Sequence, residues 1–245
     1  MRLKVGIVGI IGAGKDTFGE TVVAILNSLY PSSPEPLAVL RKFADPIHTA
    51  AKIAGFSSQR EFKEEAIAVS LSDAVRGADA ILDAAVATHV ITPYQRNHAH
   101  NQLTYKLVSD YGSYEYTNEL DISPRQYMIA IGEGFREYVF PTFWLALAEA
   151  QSANDIISVY TDVRYINEAC RMDYLCHIEG RGLKLPNESE RFAQEFEKFI
   201  PELSNKPIMG IDNSEDKSLA NLKEGALYTA WDIYLGFINN NHYED

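Results

Sequence analysis

The run Leu3-Lys4-Val5-Gly6-Ile7-Val8 is apolar and β-branched, and it leads at once into Gly9, Gly12, Gly14 and Lys15. Beyond the lysine, Phe18, Val22, Ile25, Leu26 and Leu29 fall at helical spacing. Strand, glycine loop, helix is the order that a phosphate-binding loop requires, and it points to an α/β chain. Glycine lets the backbone take φ values that turn successive N–H groups inward. Those donors, with the positive end of the following helix, make a cradle for a polyphosphate. Lys15 adds a point charge suited to the β- and γ-phosphates. The bland alternative is a tight turn with no ligand.

The general pattern places Ser or Thr after the lysine, where the hydroxyl holds Mg²⁺. Here that position is Asp16, with Thr17 one place later. Adenylate kinase-type enzymes also displace the hydroxyl, reading Gly-Lys-Gly-Thr. A carboxylate at this point can hold Mg²⁺ through water, or steer a basic group of an acceptor. The candidates for nucleotide binding are therefore Gly12, Ala13, Gly14, Lys15, Asp16 and Thr17, with Asp16 and Thr17 also candidates for Mg²⁺.

A chain of 245 residues suits one structural domain, large or with an insertion. Its net charge of −12 argues against a nucleic-acid polymer or an anionic membrane as partner. An acidic protein that takes an anionic substrate must concentrate its arginines locally, which makes arginine clusters informative. Cys170 and Cys176 have no paired metal spacing and read as reduced thiols of a cytoplasmic protein. No signal peptide precedes the first strand, and no apolar run reaches membrane-spanning length. The sequon Asn187-Glu188-Ser189 carries no weight in that setting.

Along the chain, Leu37 to Phe43 reads as a second strand, and Asp45-Pro46 as a capped helix start. Ser72 reads as the cap of a helix running to about Val90. From Thr92 to Leu120 polar and aromatic residues alternate without clear period, so 57–122 reads as a helical insertion or lid between core parts 1–56 and 123–245. His98 and His100 there read as surface residues, having no third ligand. Ser123-Pro124-Arg125-Gln126 is a helix start with a capping box. Arg125, Ile129, Gly132 and Arg136 then share one helix face, while Met128, Ile131 and Phe135 share a face that buries. Mid-helix glycine costs about 1 kcal/mol and often marks close approach. Trp144, on the next helix, reads by composition as core.

Ile156 to Asp162 is a third strand closing on an acid, as nucleotide-binding sheets arrange a carboxylate. Arg164 and Glu168 follow at i, i+4, the spacing of a local ion pair. Tyr174 to Ile178 and Ile208 to Ile211 supply two more strands. A basic loop, Gly180-Arg181-Gly182-Leu183-Lys184, lies between them, and a helix from Ser218 to about Phe237 closes the chain.

Three blocks now stand together: Gly9…Gly14-Lys15-Asp16-Thr17, Ser123-Pro124-Arg125…Gly132…Arg136…Trp144, and Thr161-Asp162-Val163-Arg164…Asn167-Glu168-Ala169. In this order and spacing they resemble the deoxynucleoside monophosphate kinases of bacteriophages. Phe43-Ala44-Asp45-Pro46 is similar to the family's segment after its second strand. The resemblance implies the P-loop kinase fold, three α/β/α layers around a mostly parallel sheet of about five strands, with a helical substrate-binding insertion. It implies transfer of the γ-phosphate of ATP to a dNMP, with Mg²⁺, by a homodimer. Gly12 to Thr17 would bind ATP. Lys15, Asp16, Arg125 and Arg164 would be catalytic. Arg125, Gln126, Gly132, Glu133, Arg136, Trp144, Asp162, Arg164 and Glu168 would line the dNMP site.

The chain departs from the family at Ile129, where Gln is favoured, and at Glu133, where Thr is. Base preference, and the acceptor itself, stay open at those positions. Two other acceptors compete: a modified base in polymeric DNA, and a small phosphorylated metabolite such as phosphomevalonate, whose animal-type kinases have a similar Gly-Lys-Asp loop. The acidic charge disfavours the polymer, because duplex binding needs a basic track.

Overall fold

The structure, a computed structural model, describes residues 2–31, 34–57, 64–112, 118–180, 188–213 and 219–241. The chain divides into two compact units: residues 1–42 with 154–245, and residues 43–153.

The first unit is built on a parallel sheet. Strands β1 (Leu3–Val8), β2 (Ala38–Arg41), β5 (Ile157–Tyr160), β6 (Tyr174–Gly180) and β7 (Ile208–Asn213) lie in the order β2-β5-β1-β6-β7. All four pairings are parallel. The helices of this unit are α1 (Lys15–Leu29), the short α7 (Ile166–Ala169), α8 (Glu188–Gln194) and α9 (Phe196–Phe199), and the closing α10 (Leu219–Asn241). α1 packs on β1, β2 and β5 and on α10. Val5, Ile7, Phe18, Val22, Leu26 and Val159 are fully buried, so the strand and helix patterns of the sequence meet in one core. The fold class is the α/β, parallel-sheet architecture of a P-loop kinase. In such a sheet, ligands gather at the carboxyl ends of the strands. There the loop from Gly9, Lys42 and Thr161-Asp162 follow three adjacent strands.

The second unit comprises α2 (Asp45–Ile53), β3 (Ile67–Ser70), α3 (Leu71–Ala87), α4 (Pro93–Tyr111), β4 (Glu119–Ile122), α5 (Pro124–Tyr138) and α6 (Phe143–Gln151). Ile81, Leu82, Leu103, Leu107, Ile131 and Phe135 form its own core. β3 and β4 pair antiparallel. Neither strand shows in the sequence, because each has only four residues and half of its side chains are exposed. The aperiodic stretch after Thr92 is largely a helix of 19 residues. It hides because its buried residues are few, Ala99, Leu103 and Leu107, while Tyr94 and Tyr105 are exposed aromatics.

Two helix starts also need correction. Ser70, not Ser72, caps α3: its hydroxyl accepts from the Asp73 N–H. Asp45 is the first residue of α2 and not its cap; Ala44 takes that place with no side-chain hydrogen bond. No helix among the described residues is long and apolar enough to cross a membrane.

Candidate functional site

The glycine loop sets the first part of the site. Gly12 and Gly14 have φ of 85° and 94°, values that an L side chain rarely adopts. At Gly14 a Cβ would also lie 2.7 Å from the Leu222 side chain of α10. The loop turns on the Ala13 N–H to Ile10 carbonyl bond, 3.1 Å, and Asn213 at the end of β7 donates to the Ala13 carbonyl at 3.0 Å. Sequence reasoning missed Asn213, and a lone Asn at a strand end gives no signal. α1 begins on Gly14 with no side-chain cap. In the second unit α3, α4 and α5 all begin on hydroxyl caps. A helix start without such a cap presents its first amides to an anion.

Lys15 opens α1 and folds back over the loop, its ammonium donating to the carbonyls of Gly9 and Ile10. Asp16 points to the end of β5. Its Oδ1 accepts from Thr161 Oγ1 at 2.9 Å and from Lys42 Nζ at 2.8 Å. Partial burial works against the Asp16 charge. The hydrogen bonds from Lys42 and Thr161 and the charges of Lys42 and Lys15 outweigh it, holding the carboxyl below the ordinary aspartate value. Thr17 is exposed on the first turn. Asp162 is nearly buried past the end of β5, and Arg164 is half-buried. Glu168 is buried, and its Oε2 accepts from the N–H groups of Arg164 (2.8 Å) and Tyr165 (3.2 Å). It thereby shapes the turn that carries Arg164.

The other candidates lie on α5 and α6 of the second unit. Ser123 and Gln126 close the expected capping box, so the Gln126 amide oxygen accepts from the Ser123 N–H at 2.9 Å. Arg125, Gln126, Ile129 and Glu133 are exposed, and Arg136 is half-buried in the last turn. Arg125 is paired with Glu64. Gly132 is buried, yet a Cβ there would meet only Ile47 Cδ1, at the ordinary distance of 3.5 Å. Packing within the unit therefore leaves room at Gly132. Two residues on, at Gly134, the same atom would be 2.5 Å from Leu103 Cδ2. Trp144 is 3 % exposed, packs tilted against Phe135 and edge-on against Phe143, and donates its indole N–H to the Gly132 carbonyl at 2.9 Å. Its place is behind α5, holding the backbone at Gly132.

The structure thus gathers Gly12 to Thr17, Asp162, Arg164 and Glu168 at the carboxyl edge of one sheet, and puts Arg125, Gln126, Gly132, Glu133, Arg136 and Trp144 in the second unit. The basic loop from Arg181 to Lys184 lies outside the described residues. So do 113–117 of the Thr92–Leu120 stretch. His100 contacts Asp79 at 2.7 Å, and no cluster of metal-ligating side chains occurs among the described residues.

No family model matches the chain. It is, however, 27 % identical over 183 residues to the deoxynucleoside-5'-monophosphate kinase of Escherichia phage T5, covering 69 % of this chain and 70 % of that one. The chain is a distant relative of a deoxynucleoside monophosphate kinase. This relationship agrees with the resemblance carried by the three sequence blocks and supports a nucleotide kinase as the class of the protein. A kinase relationship in turn implies use of a nucleotide, which suits a loop with inward amides, a lysine and a cap-free helix start.

Proposed function

We propose that the protein is an ATP-dependent deoxynucleoside monophosphate kinase that forms dNDP and ADP. The observation that carries this reading is the start of α1. Left-handed Gly12 and Gly14, a lysine folded over the loop and a charged Asp16 stand together at the carboxyl edge of a parallel sheet.

The loop from Gly12 to Thr17 binds the donor phosphates. An oxygen of the acceptor phosphate attacks the γ-phosphorus, the bond to the β-bridging oxygen breaks, and ADP leaves. That acceptor oxygen is already anionic, so no strong base is needed; positioning and charge neutralisation carry the rate. Lys15 places its charge at the donor phosphates. Arg125, Arg136 and Arg164 serve the acceptor and the transferring group, since a planar guanidinium binds phosphate in a bidentate way. Gln126, Gly132, Glu133, Asp162 and Glu168 shape the acceptor site, and Trp144 supports it through Gly132.

Mg²⁺ fits the residues present, because Asp16 is a charged carboxylate whose Oδ2 has no hydrogen bond among the described residues and Thr17 adds a hydroxyl, the hard oxygen donors this ion prefers. When bound, the ion would neutralise charge on the donor phosphates. A cytoplasmic setting and a homodimer go with this reading; sedimentation tests the latter.

Exposed Ile129 and Glu133 on α5 favour keeping a second reading, a kinase of the same donor but another phosphorylated acceptor. The test is acceptor-dependent ADP release across the four dNMPs, the ribonucleotides and phosphomevalonate. Release with one or more dNMPs is the expected result. Release with phosphomevalonate alone would select the second reading, and none with any acceptor would remove both.

A further inference from the structure

Asp16 is held by Lys42, which neither the motif nor the resemblance includes, and by Thr161, to which the resemblance gives no role. Lys42 follows β2 and Thr161 follows β5, adjacent strands of the same sheet. Lys42 Nζ lies 2.8 Å and Thr161 Oγ1 2.9 Å from the same Asp16 oxygen, Oδ1. Thr161 is 1 % exposed, so its hydroxyl is fixed by the packing around it.

The third part is a contact distance. On the helix turn after Asp16, Gly19 faces the Thr161 methyl, and a Cβ on Gly19 would stand 2.4 Å from Thr161 Cγ2. Only a residue without a side chain lets α1 lie this close to the end of β5. That closeness brings Asp16 within hydrogen-bonding reach of Thr161. With Oδ1 taken twice, the carboxylate is restrained in rotation, and Oδ2 accepts no hydrogen bond among the described residues.

We propose that Lys42 and Thr161 are positioning residues that orient Asp16 so that its Oδ2 receives the water shell of a nucleotide-bound Mg²⁺, with Gly19 setting the distance. This rests on the kinase reading of the loop. It differs from that reading in assigning the metal dependence to residues outside the loop. A group that orients a ligand to a metal or its water typically changes metal affinity about 10–100-fold when removed. Lys42 is partly exposed, so the lower part of that range applies to it.

The test is a calorimetric titration of Mg²⁺ into the protein with ADP bound, and of ADP alone without Mg²⁺. Thr161→Val keeps the buried shape and Lys42→Met keeps the stem. Each should weaken Mg²⁺ binding about tenfold while metal-free ADP binding stays within about twofold. Thr161→Ser and Lys42→Arg should restore most of the loss, and Gly19→Ala should resemble Thr161→Val. In an Asp16→Asn background, Thr161→Val and Lys42→Met should add nothing, because both act through that carboxylate. Unchanged Mg²⁺ affinity in both variants, or losses that persist in the Asp16→Asn background, would overturn the proposal while leaving the kinase reading intact. Failure of the wild-type protein to bind ADP at all would remove the kinase reading and this proposal with it.

Discussion

The two units hold their charges in opposite ways. At the carboxyl edge of the parallel sheet, Asp16, itself exposed, is tied to the buried Thr161 as well as to Lys42, and Glu168 is buried on two backbone amides. On α5 of the second unit, Arg125 is exposed and is paired only, among the described residues, with the exposed Glu64. The first arrangement is pre-organised: its groups have little freedom left to lose when a ligand arrives. The second is exchangeable. An exposed ion pair is worth about 0–1 kcal/mol, whereas a guanidinium on phosphate makes a charge-assisted, bidentate contact. A phosphorylated ligand can therefore take Arg125 from Glu64 at small cost. On the proposed function, the fixed groups serve the donor and the exchangeable Arg125 serves the acceptor.

The largest effect is expected behind the exchangeable face. Trp144→Ala removes a buried indole and leaves the Gly132 carbonyl without its donor, and should cost about 3–5 kcal/mol of stability, read by denaturant unfolding. A loss under about 1 kcal/mol would mean that α5 does not lean on Trp144.

Next comes the pre-organised end. Lys15→Ala should lower kcat about 10²–10³-fold, the usual cost of one fixed positive or donor group at a reacting phosphate, with the circular dichroism spectrum unchanged. Arg125→Ala should lower kcat/KM for the acceptor about 10–100-fold and leave ATP binding alone. Glu64→Gln should act in the opposite direction, lowering the acceptor KM a few-fold by removing the competing carboxylate. If Glu64→Gln instead raises KM, the pair is part of the site and the contrast between the units fails.

Asp16 gives a pH test with a definite sign. Its folded carboxyl lies below the ordinary aspartate value of 3.8. The unfolded chain therefore takes up the proton first as pH falls. Stability due to the Asp16 charge is fully present above about pH 4, and is lost as pH drops through the lower folded value. The stability gap between wild type and Asp16→Asn should be flat from neutral pH to about pH 4 and close below it. A gap that widens in acid would contradict the pairing with Lys42 and Thr161.

The smallest effect concerns the thiols. Cys170 is exposed, while burial pushes the Cys176 thiol up to about 12. One thiol per native chain should react with a disulfide reagent at about pH 8, and two after unfolding. Two fast thiols in the native protein would show that β6 opens readily.

The same contrast governs what the sequence made legible. The sheet unit is readable because β5 and most of β1 are short apolar runs buried on both faces, and its helix α1 is periodic. The loop was readable because left-handed φ needs glycine. In the second unit, the Ser123 cap was read and the matching Thr92-Pro93-Tyr94-Gln95 was not, although both form the same capping box. The difference lies in the helix beyond each cap: α5 carries a dense apolar face, while α4 shows the core only Ala99, Leu103 and Leu107. Half-exposed strands such as β3 and β4 exist through their pairing, which no local pattern encodes. Of the candidate site, the residues set by local chemistry were legible. Lys42, Thr161 as a partner of Asp16, and Asn213 were not, because their roles arise from strands far apart in sequence.

On the proposed function, phosphate moves from a donor nucleotide held by the glycine loop to a nucleoside monophosphate. The most direct measurement gives the purified protein ATP labelled at the γ-phosphate, Mg²⁺ and each dNMP in turn, and follows the label. Label is expected in the β-position of a dNDP, with little in inorganic phosphate and about 10²–10³-fold slower labelling when Lys15 is replaced by Ala. Label released only as inorganic phosphate, or retained in ATP with every dNMP, would contradict that function.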